Sequence, residues 1–280
     1  MSQQFRTLTP KSTILQKYIA YYYFHQASEG EKTQSYFYYP HYKNALTIYK
    51  DTKVILKNSH TTEAKIGQSG FFIGYTQLTK HAAKAIIHPP FNKIGVVFHP
   101  LGLNHFLEND FSELVKSSIN LEFNIFKPSI NNTLQKVFAS ENFSEKVDFL
   151  DKFFLKMKRN YESPKLQMAI ELMLETNTNY TVNELAQKLN ISRKTLLRLF
   201  RRHLNCSAID YKKLIQFRKA VQIFQESIEK MSFTDVAYRS DYYDQTEFIR
   251  HFKQLTGFNP KAFFKNLRDY GDKGTYWTFE

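Results

Sequence analysis

The chain has 280 residues, enough for about two domains that each bury a core. Apolar residues make up 42% of the chain and aromatic residues 16%, which excludes an intrinsically disordered protein. The formal net charge is +13, from 39 basic and 26 acidic residues, and a positive surplus of this size favours polyanionic partners.

Cysteine content and apolar runs bear on the compartment. Cys206 is the single cysteine, so no disulfide can form within the chain. The first residues lack the apolar centre of a signal peptide, and no stretch reaches the roughly 18 uninterrupted apolar residues of a membrane span. We therefore expect a soluble cytoplasmic protein with no membrane partner.

The first hundred residues are predicted to be mainly β-strand. Five short runs of β-branched or aromatic residues, bounded by turn residues, carry this prediction: 35–39, 45–49, 53–56, 70–74 and 95–98. Two tyrosine-rich runs, at 21–23 and 36–39, are open to two interpretations. Either they line an apolar pocket, or alternate residues pack within a sheet.

Helical patterning begins near residue 104. An apolar stripe on one helix face consists of Phe143, Val147, Leu150, Phe154 and Met157. This stripe either pairs with its twofold mate in an antiparallel dimer or packs on its own β domain. A polar segment, 158–163, then leads to Pro164, which suits the first turn of a helix, with Ser163 as its N-cap.

The polar segment sets the predicted domain organisation. Residues 1–160 form a β-rich domain for effector binding or dimerisation, helical from about 104. Residues 161–270 form an all-α domain, and residues 271–280 a C-terminal tail. The fold class is therefore α+β.

Helix-capping patterns recur throughout the second domain. The segment 181–184 (TVNE) has capping-box spacing, and 232–235 (SFTD) repeats it. Ser192 precedes a helix through His203, Asp244 caps one to about Thr256, and Asn259-Pro260 starts a last one. Between the two sets, Ser207 opens a long helix to about Gln225.

These elements form an internal duplication. Residues 181–186 align with 232–237 at an offset of 51, and 192–201 align with 244–253 at an offset of 52. Each unit has a short capped helix with a small residue, Ala186 or Ala237, then a turn and a second helix. The small residue lets the second helix cross close by, which predicts two helix-turn-helix units near 181–203 and 232–256. Charge supports them, since residues 188–219 hold ten Lys or Arg and one acid.

The second domain resembles the AraC/XylS transcription regulators over about residues 164–268. The resemblance is carried by Leu185-Ala186, Ile191-Ser192-Arg193, Leu199-Phe200, Arg218-Lys219-Ala220, Val236-Ala237, Phe248, Phe252-Lys253 and Gly257-Phe-Asn-Pro260. It implies two helix-turn-helix units joined by one long helix, with recognition helices in successive major grooves of double-stranded DNA. Asp241-Tyr242 stands where the family has Gly-Phe, and Asn205 stands near a family glycine. Since Asp and Asn tolerate left-handed backbone, we expect both turns to be kept.

The resemblance and the helical spacing together predict the DNA-contacting residues. In the first unit these are Arg193, Lys194, Leu197, Arg198 and Arg201. In the second they are Gln245, Thr246, Glu247, Ile249 and Arg250, although Ile249 is only placed outside by spacing. Arginine suits guanine, glutamine suits adenine, and glutamate is expected to accept from a cytosine amino group. Leu197 has two interpretations, contact with a thymine methyl or partial burial.

The function of the first domain is less constrained. The resemblance implies a small-molecule effector or dimerisation, in a β-rich domain compatible with a cupin-like barrel. RNA polymerase and a second copy of the chain are left open as protein partners. Effector identity, promoters, and activation as against repression are not readable from the sequence.

The sequence also bears on enzymatic alternatives. It has no H-x-H or H-E-x-x-H metal motif, phosphate-binding loop, dinucleotide fingerprint or G-x-S-x-G elbow. We therefore expect a regulator and not an enzyme. We expect no catalytic residues, no metal and no cofactor. The alternative is a DNA-modifying or repair enzyme that uses the helix-turn-helix domain only for targeting.

Overall fold

The computed structural model describes residues 4–77, 79–175, 179–227, 231–269 and 276–279. Its strands are β1 (Gln4–Leu8), β2 (Ile19–Ala27), β3 (Gln34–Tyr38), β4 (Asn44–Asn58), β5 (Thr61–Thr76), β6 (Ala83–Ile87), β7 (Phe91–Phe98), β8 (Ile119–Asn120), β9 (Arg268–Asp269) and β10 (Tyr276–Phe279). They form one sheet in the order β1-β2-β7-β4-β5-β6-β3-β10-β9, with β8 beside β5. The pairs are antiparallel except β5 with β6, which is parallel.

The β-rich prediction for the first hundred residues is confirmed, with one correction. The runs 45–49 and 53–56 were predicted as two strands and belong to the single strand β4. Asp51 takes a φ of 49°, and the pairing with β5 shifts register between Lys50 and Thr52. The chain therefore bulges at the polar residues without leaving the ladder.

The sheet separates its side chains onto two faces. Along β2, Tyr22 and Phe24 pack into the main core, whereas Tyr21 and Tyr23 point to the opposite side and line a cavity. This is the period-2 alternation of a strand buried on both faces. Gly95 of β7 lies opposite Tyr23, and a Cβ there would lie 1.8 Å from the tyrosine ring.

Three helices cover the core face of the sheet: α1 (Phe111–Leu114), α2 (Asn131–Ala139) and α3 (Phe143–Met157). Two short 3-10 turns, Leu15–Lys17 and Gly102–Phe106, accompany them. The apolar stripe of α3 packs into this same core, with Leu150 and Phe154 fully buried. The dimer interpretation of the stripe is therefore wrong, because the sheet of the same chain already covers it.

The remaining helices follow the predicted caps. They are α4 (Pro164–Leu174), α5 (Val182–Lys188), α6 (Arg193–Leu204), α7 (Ala208–Glu226), α8 (Phe233–Arg239), α9 (Gln245–Thr256) and α10 (Pro260–Asn266). Pro164 takes the first turn of α4, but the Ser163 hydroxyl makes no capping bond there. Within the described ranges, none of the helices is both long enough and apolar enough to cross a lipid bilayer.

The chain end returns to the first sheet. Strand β10 lies in the segment expected as a tail and pairs with β3, so that Trp277 lies opposite Tyr38. Residues 270–275 and 280 of that segment lie outside the described residues. The predicted boundary near residue 160 falls between α3 and α4 and stays a prediction.

Candidate nucleic-acid interface and an adjoining cavity

The two helix-turn-helix units, α5–α6 and α8–α9, begin with matching caps. The Thr181 hydroxyl accepts from the Glu184 backbone N–H, and the Glu184 carboxylate accepts from the Thr181 N–H, which completes the predicted capping box. Ser232 caps α8 in the same way, through the Asp235 N–H. These bonds satisfy N–H groups that a helix start leaves without intrahelical partners.

The turns of the two units are also equivalent. Asn190 and Asp241 hold left-handed backbone with φ of 51° and 66°, and Asn205 and Gly257 do so with φ of 48° and 80°. In each unit an N–H after the turn donates 3.0 Å back to the small residue of the first helix, from Ile191 to Ala186 and from Tyr242 to Ala237. Asp241 and Asn205 therefore keep the geometry expected of the family glycines.

Each second helix buries one apolar face. Leu196 and Phe200 of α6 are fully buried, as are Phe248 and Phe252 of α9. Their caps are equivalent, with Ser192 accepting from the Thr195 N–H and Asp244 from the Glu247 N–H. The opposite faces of α6 and α9 are left at the surface.

The predicted contact residues of α6 come together on that face. Arg193, Lys194, Arg198 and Arg201 are exposed, and Leu197 is half-buried. All of these except Arg193 line one groove of about 970 Å³. Thr79, Lys80 and Ser112 form the other wall of this groove. A concave surface with this charge attracts a phosphate backbone.

The α9 face is different in chemistry. Gln245, Thr246 and Arg250 are exposed, and Ile249 is 38% exposed. Glu247 is half-buried, and its carboxylate accepts from the Tyr243 backbone N–H at 3.0 Å. The Gln245 carbonyl oxygen accepts from the Thr234 hydroxyl at 3.1 Å.

Comparison with known sequences agrees with this geometry. A family model for a helix-turn-helix domain matches residues 185–266. The Msm operon regulatory protein of Streptococcus mutans is 27% identical over 88 residues, which is 31% of this chain. Residues 185–266 therefore form a helix-turn-helix domain of the AraC type. The aligned segment also spans only 31% of the Msm protein, so less than a third of either chain is matched.

Solved structures give looser likenesses. ToxT of Vibrio cholerae aligns over 95% of this chain and 98% of its own length, with 13% identity and a TM-score of 0.47. An AraC-type regulator of Chromobacterium violaceum aligns over 35% of this chain and 88% of its own length, with 21% identity and a TM-score of 0.32.

The two units of the AraC-type domain are fixed to each other at the Asp241 turn. The Asp241 backbone carbonyl accepts from the Gln216 amide of α7 at 2.6 Å and from the Asn179 amide at 3.2 Å. Its carboxylate pairs with Lys219 of α7 at 2.7 Å. The turn of the second unit is thus tied both to the joining helix and to the entry of the first unit.

The AraC-type domain also contacts the β-rich region through polar side chains. Arg202 of α6 pairs with Asp110 at 2.6 Å. The Gln77 amide donates to the Leu204 carbonyl, and the Asn205 amide donates to the Val115 carbonyl at 2.9 Å. Sequence spacing could not reveal these contacts, because they join residues about 90 or more positions apart.

A cavity of about 160 Å³ lies between the sheet and α7. Seven tyrosines line it: Tyr21, Tyr23, Tyr36, Tyr38, Tyr39, Tyr49 and Tyr75. Both tyrosine-rich runs that the sequence singled out thus contribute to its wall. Burial raises the pKa of Tyr38 to about 12 and that of Tyr49 well above its usual value, so these two hydroxyls stay protonated.

Four basic side chains also line the cavity: His41, Lys43, Lys93 and Arg218. Lys93 is 1% exposed and donates to the Tyr36 hydroxyl at 2.6 Å, and burial lowers its pKa to about 7. Arg218 of α7 donates to the Tyr39 and Pro40 carbonyls at 2.8 and 2.7 Å. Arg218 is therefore a buried residue of α7 whose hydrogen bonds reach the β-rich region.

His105 and Cys206, two residues with potentially reactive side chains, are packed within the fold. No group of three or more His, Cys, Asp or Glu able to hold a metal occurs within the described ranges. His105 packs on the Tyr18 ring at 4.1 Å. Cys206 is buried, and burial, followed by the nearby Asp210, raises the pKa of its thiol to about 12.

Proposed function

We propose that this protein is a sequence-specific DNA-binding transcription regulator that reads two successive major grooves with α6 and α9. The observation that carries the proposal is the duplicated geometry, two capped helices at equivalent places, each with its outer face at the surface. Because α7 and the Asp241 turn hold the units together, their base contacts are expected about 10 base pairs apart, roughly 34 Å.

Arg198 and Arg250 are the proposed base readers, since they are exposed at equivalent places in the two units. Arginine bonds guanine O6 and N7 bidentately, and Gln245 suits adenine. Lys194 is assigned to guanine or phosphate, and Arg193, Leu197, Arg201 and Thr246 complete the surface. We assign Glu247 to stabilising the start of α9 and not to contacting cytosine. Its carboxylate already accepts a hydrogen bond from the Tyr243 backbone N–H.

Selection of binding sites from a random double-stranded library tests this proposal. The full chain should enrich a sequence with two conserved base blocks about one helical turn apart. Lys194→Ala, if that side chain binds phosphate, should weaken all sequences alike and lower the salt dependence by about one unit. Failure to enrich any sequence, with binding that depends on salt alone, would show a non-specific polyanion binder instead.

We also propose that a small-molecule effector binds the cavity and changes DNA binding. The cavity supports this because Arg218, which lines it, belongs to the helix that joins the two units. A thermal-shift screen of the full chain against a metabolite library, followed by DNA-affinity measurements with each hit, tests the effector. Hits that stabilise the chain without changing its affinity for the selected site would contradict a regulatory role.

A further inference from the structure

We infer that the cavity takes a small organic anion, about the size of a single ring, whose charge lies among Arg218, Lys43 and His41. This inference rests on the proposed effector function and names the chemical class of the effector. It follows from the charge of the wall, the position of the cationic side chains and the volume of the cavity.

The ionisable side chains that line the cavity, apart from the tyrosines, are all basic. Four basic side chains line the cavity, and none of the described lining residues is an aspartate or a glutamate. A buried cation is costly unless an anion or several hydrogen bonds compensate it. A cavity lined by basic side chains without a carboxylate therefore favours a ligand that brings the negative charge itself.

Three of the basic side chains form a cluster that spans two parts of the chain. His41 and Lys43 belong to the loop between β3 and β4, and Arg218 belongs to α7. The Lys43 backbone N–H donates to Nδ1 of His41 at 2.9 Å, so the neutral ring carries its proton on Nε2 and can donate from there. The cluster therefore presents hydrogen-bond donors from all three side chains.

The pKa shifts agree with mutual repulsion in this cluster. Burial lowers the pKa of His41 well below its usual value, and the charges of Arg218 and Lys43 lower it further. Burial and Arg218 likewise lower the pKa of Lys43. An anion among these groups would raise the pKa of both His41 and Lys43, because an opposite charge favours the protonated form of each base.

The volume limits the body of the ligand. A cavity of about 160 Å³ is close to one of about 150 Å³ that holds benzene. The tyrosine rings offer flat apolar surface, and their protonated hydroxyls offer further donors. A carboxylate on one ring or on a short chain fits within this volume, whereas a long alkyl chain would have to extend beyond it.

Calorimetric titration of the full chain with matched pairs tests the class: benzoate against benzamide, and hexanoate against hexanamide, at constant ionic strength. The carboxylates should bind at least tenfold more tightly than the amides of the same shape. Lys43→Gln should weaken carboxylate binding tenfold or more and leave the amides unaffected. Lys65→Gln, an exposed lysine on β5, is the control and should change neither.

The inference would be overturned by equal binding of acid and amide, or by carboxylate binding that survives Lys43→Gln unchanged. It would also be overturned if neither benzoate nor hexanoate binds while oleate, a long-chain carboxylate, does. Inorganic phosphate serves as a further probe, and tighter binding of phosphate than of benzoate would also overturn it. Neutral ligands that bind and change DNA affinity would remove the anion class but keep the effector function. If the full chain shows no sequence-specific DNA binding in the absence of any probe, the proposed function is contradicted instead.

Discussion

The two helix-turn-helix units share one backbone plan and differ in their side chains. Their first helices have seven residues each and their second helices twelve, and both turns use left-handed backbone at matching positions. Yet the outer face of α6 is dominated by Arg and Lys, whereas that of α9 mixes Gln, Thr and Ile with Arg250 and Lys253.

The difference extends to the buried side. Position 199 of the first unit is a half-buried leucine, and the equivalent position 251 of the second is a buried histidine bonded to the Tyr242 hydroxyl at 2.7 Å. Caps, turns and a small residue at the crossing are thus sufficient to keep the motif. The remaining positions were free to diverge, in the core as well as on the DNA-facing surface.

Removal of the equivalent core rings should give the largest effect. Phe200→Ala and Phe252→Ala should each lower the free energy of unfolding by about 3–5 kcal/mol. The loss should be greater for Phe252, which packs against Phe217, Phe248 and Phe263 at ring distances of 4.9–5.1 Å.

Urea unfolding of the full chain, followed by circular dichroism, measures both losses. Gln254→Ala on the exposed side of α9 is the control and should stay within about 0.5 kcal/mol of the parent. A smaller loss for Phe252→Ala than for Phe200→Ala would show that the extra rings around Phe252 add no stability.

Acid should distinguish the two units. Burial, followed by the charges of Lys213 and Arg250, lowers the pKa of His251 to about 4, from an ordinary value of 6.5. As the pH falls from about 6.5 to about 4, the unfolded chain takes up this proton before the folded chain does. The free energy of unfolding should therefore decrease by about 3 kcal/mol across that window, and this stability is fully present above pH 6.5.

His251→Leu introduces the residue that the first unit has at this position and should remove that part of the acid dependence. The measurement is urea unfolding of both proteins at several pH values between 7 and 4. Because carboxylates elsewhere also titrate, the difference between the two curves is the relevant quantity. Parallel curves would show that the pKa of His251 in the folded chain is not lowered.

The proposed base readers test whether the two outer faces act independently. Arg198→Ala and Arg250→Ala should each cost about 1–3 kcal/mol in binding to the selected site and relax base preference in one block only. Site selection with each variant measures this directly. If both variants keep the parent base preferences and lose only overall affinity, these arginines are phosphate anchors.

The repeated domain was largely predictable because its determinants are local. Helix starts follow from Thr181, Ser192, Ser232 and Asp244, each of which caps through a residue three positions later. The exposed faces of α6 and α9 were also predictable, because they follow from the spacing of the apolar residues within each helix. The capping role of Glu247 was missed, although the acid at the third position of a capped helix is itself a sign of that role.

The β-rich region was predictable only in class. Strand β2 was missed because it is buried on both faces and shows no polar alternation. The cluster of His41, Lys43 and Arg218 could not be foreseen, since sequence spacing does not show that α7 lies against the loop between β3 and β4. For the same reason the stripe on α3 left two interpretations equally open.

The smallest expected effect concerns the two turns, at Asn190 and Asp241, where Asp241 forms an ion pair with Lys219. Asn190 and Asp241 both hold left-handed backbone, which glycine adopts without steric cost. Asn190 is exposed, so its side chain makes little contribution to packing. Asn190→Gly should therefore raise the free energy of unfolding by up to about 0.5 kcal/mol, because the relief of backbone strain exceeds the entropy that glycine adds to the unfolded chain. Asp241→Gly gains the same backbone relief but loses the ion pair with Lys219, a pair that is about three-quarters buried.

The net effect of Asp241→Gly should therefore be zero or a loss of about 0.5 kcal/mol, since partly exposed ion pairs contribute up to about 1 kcal/mol. A double-mutant cycle with Lys219→Met separates the two terms. Lys219→Met should destabilise the parent more than it destabilises the Asp241→Gly background. If Lys219→Met costs the same in both backgrounds, the carboxylate of Asp241 does not stabilise the turn. The turn would then be held by its backbone bonds and by the Gln216 and Asn179 amides, which donate to the Asp241 carbonyl.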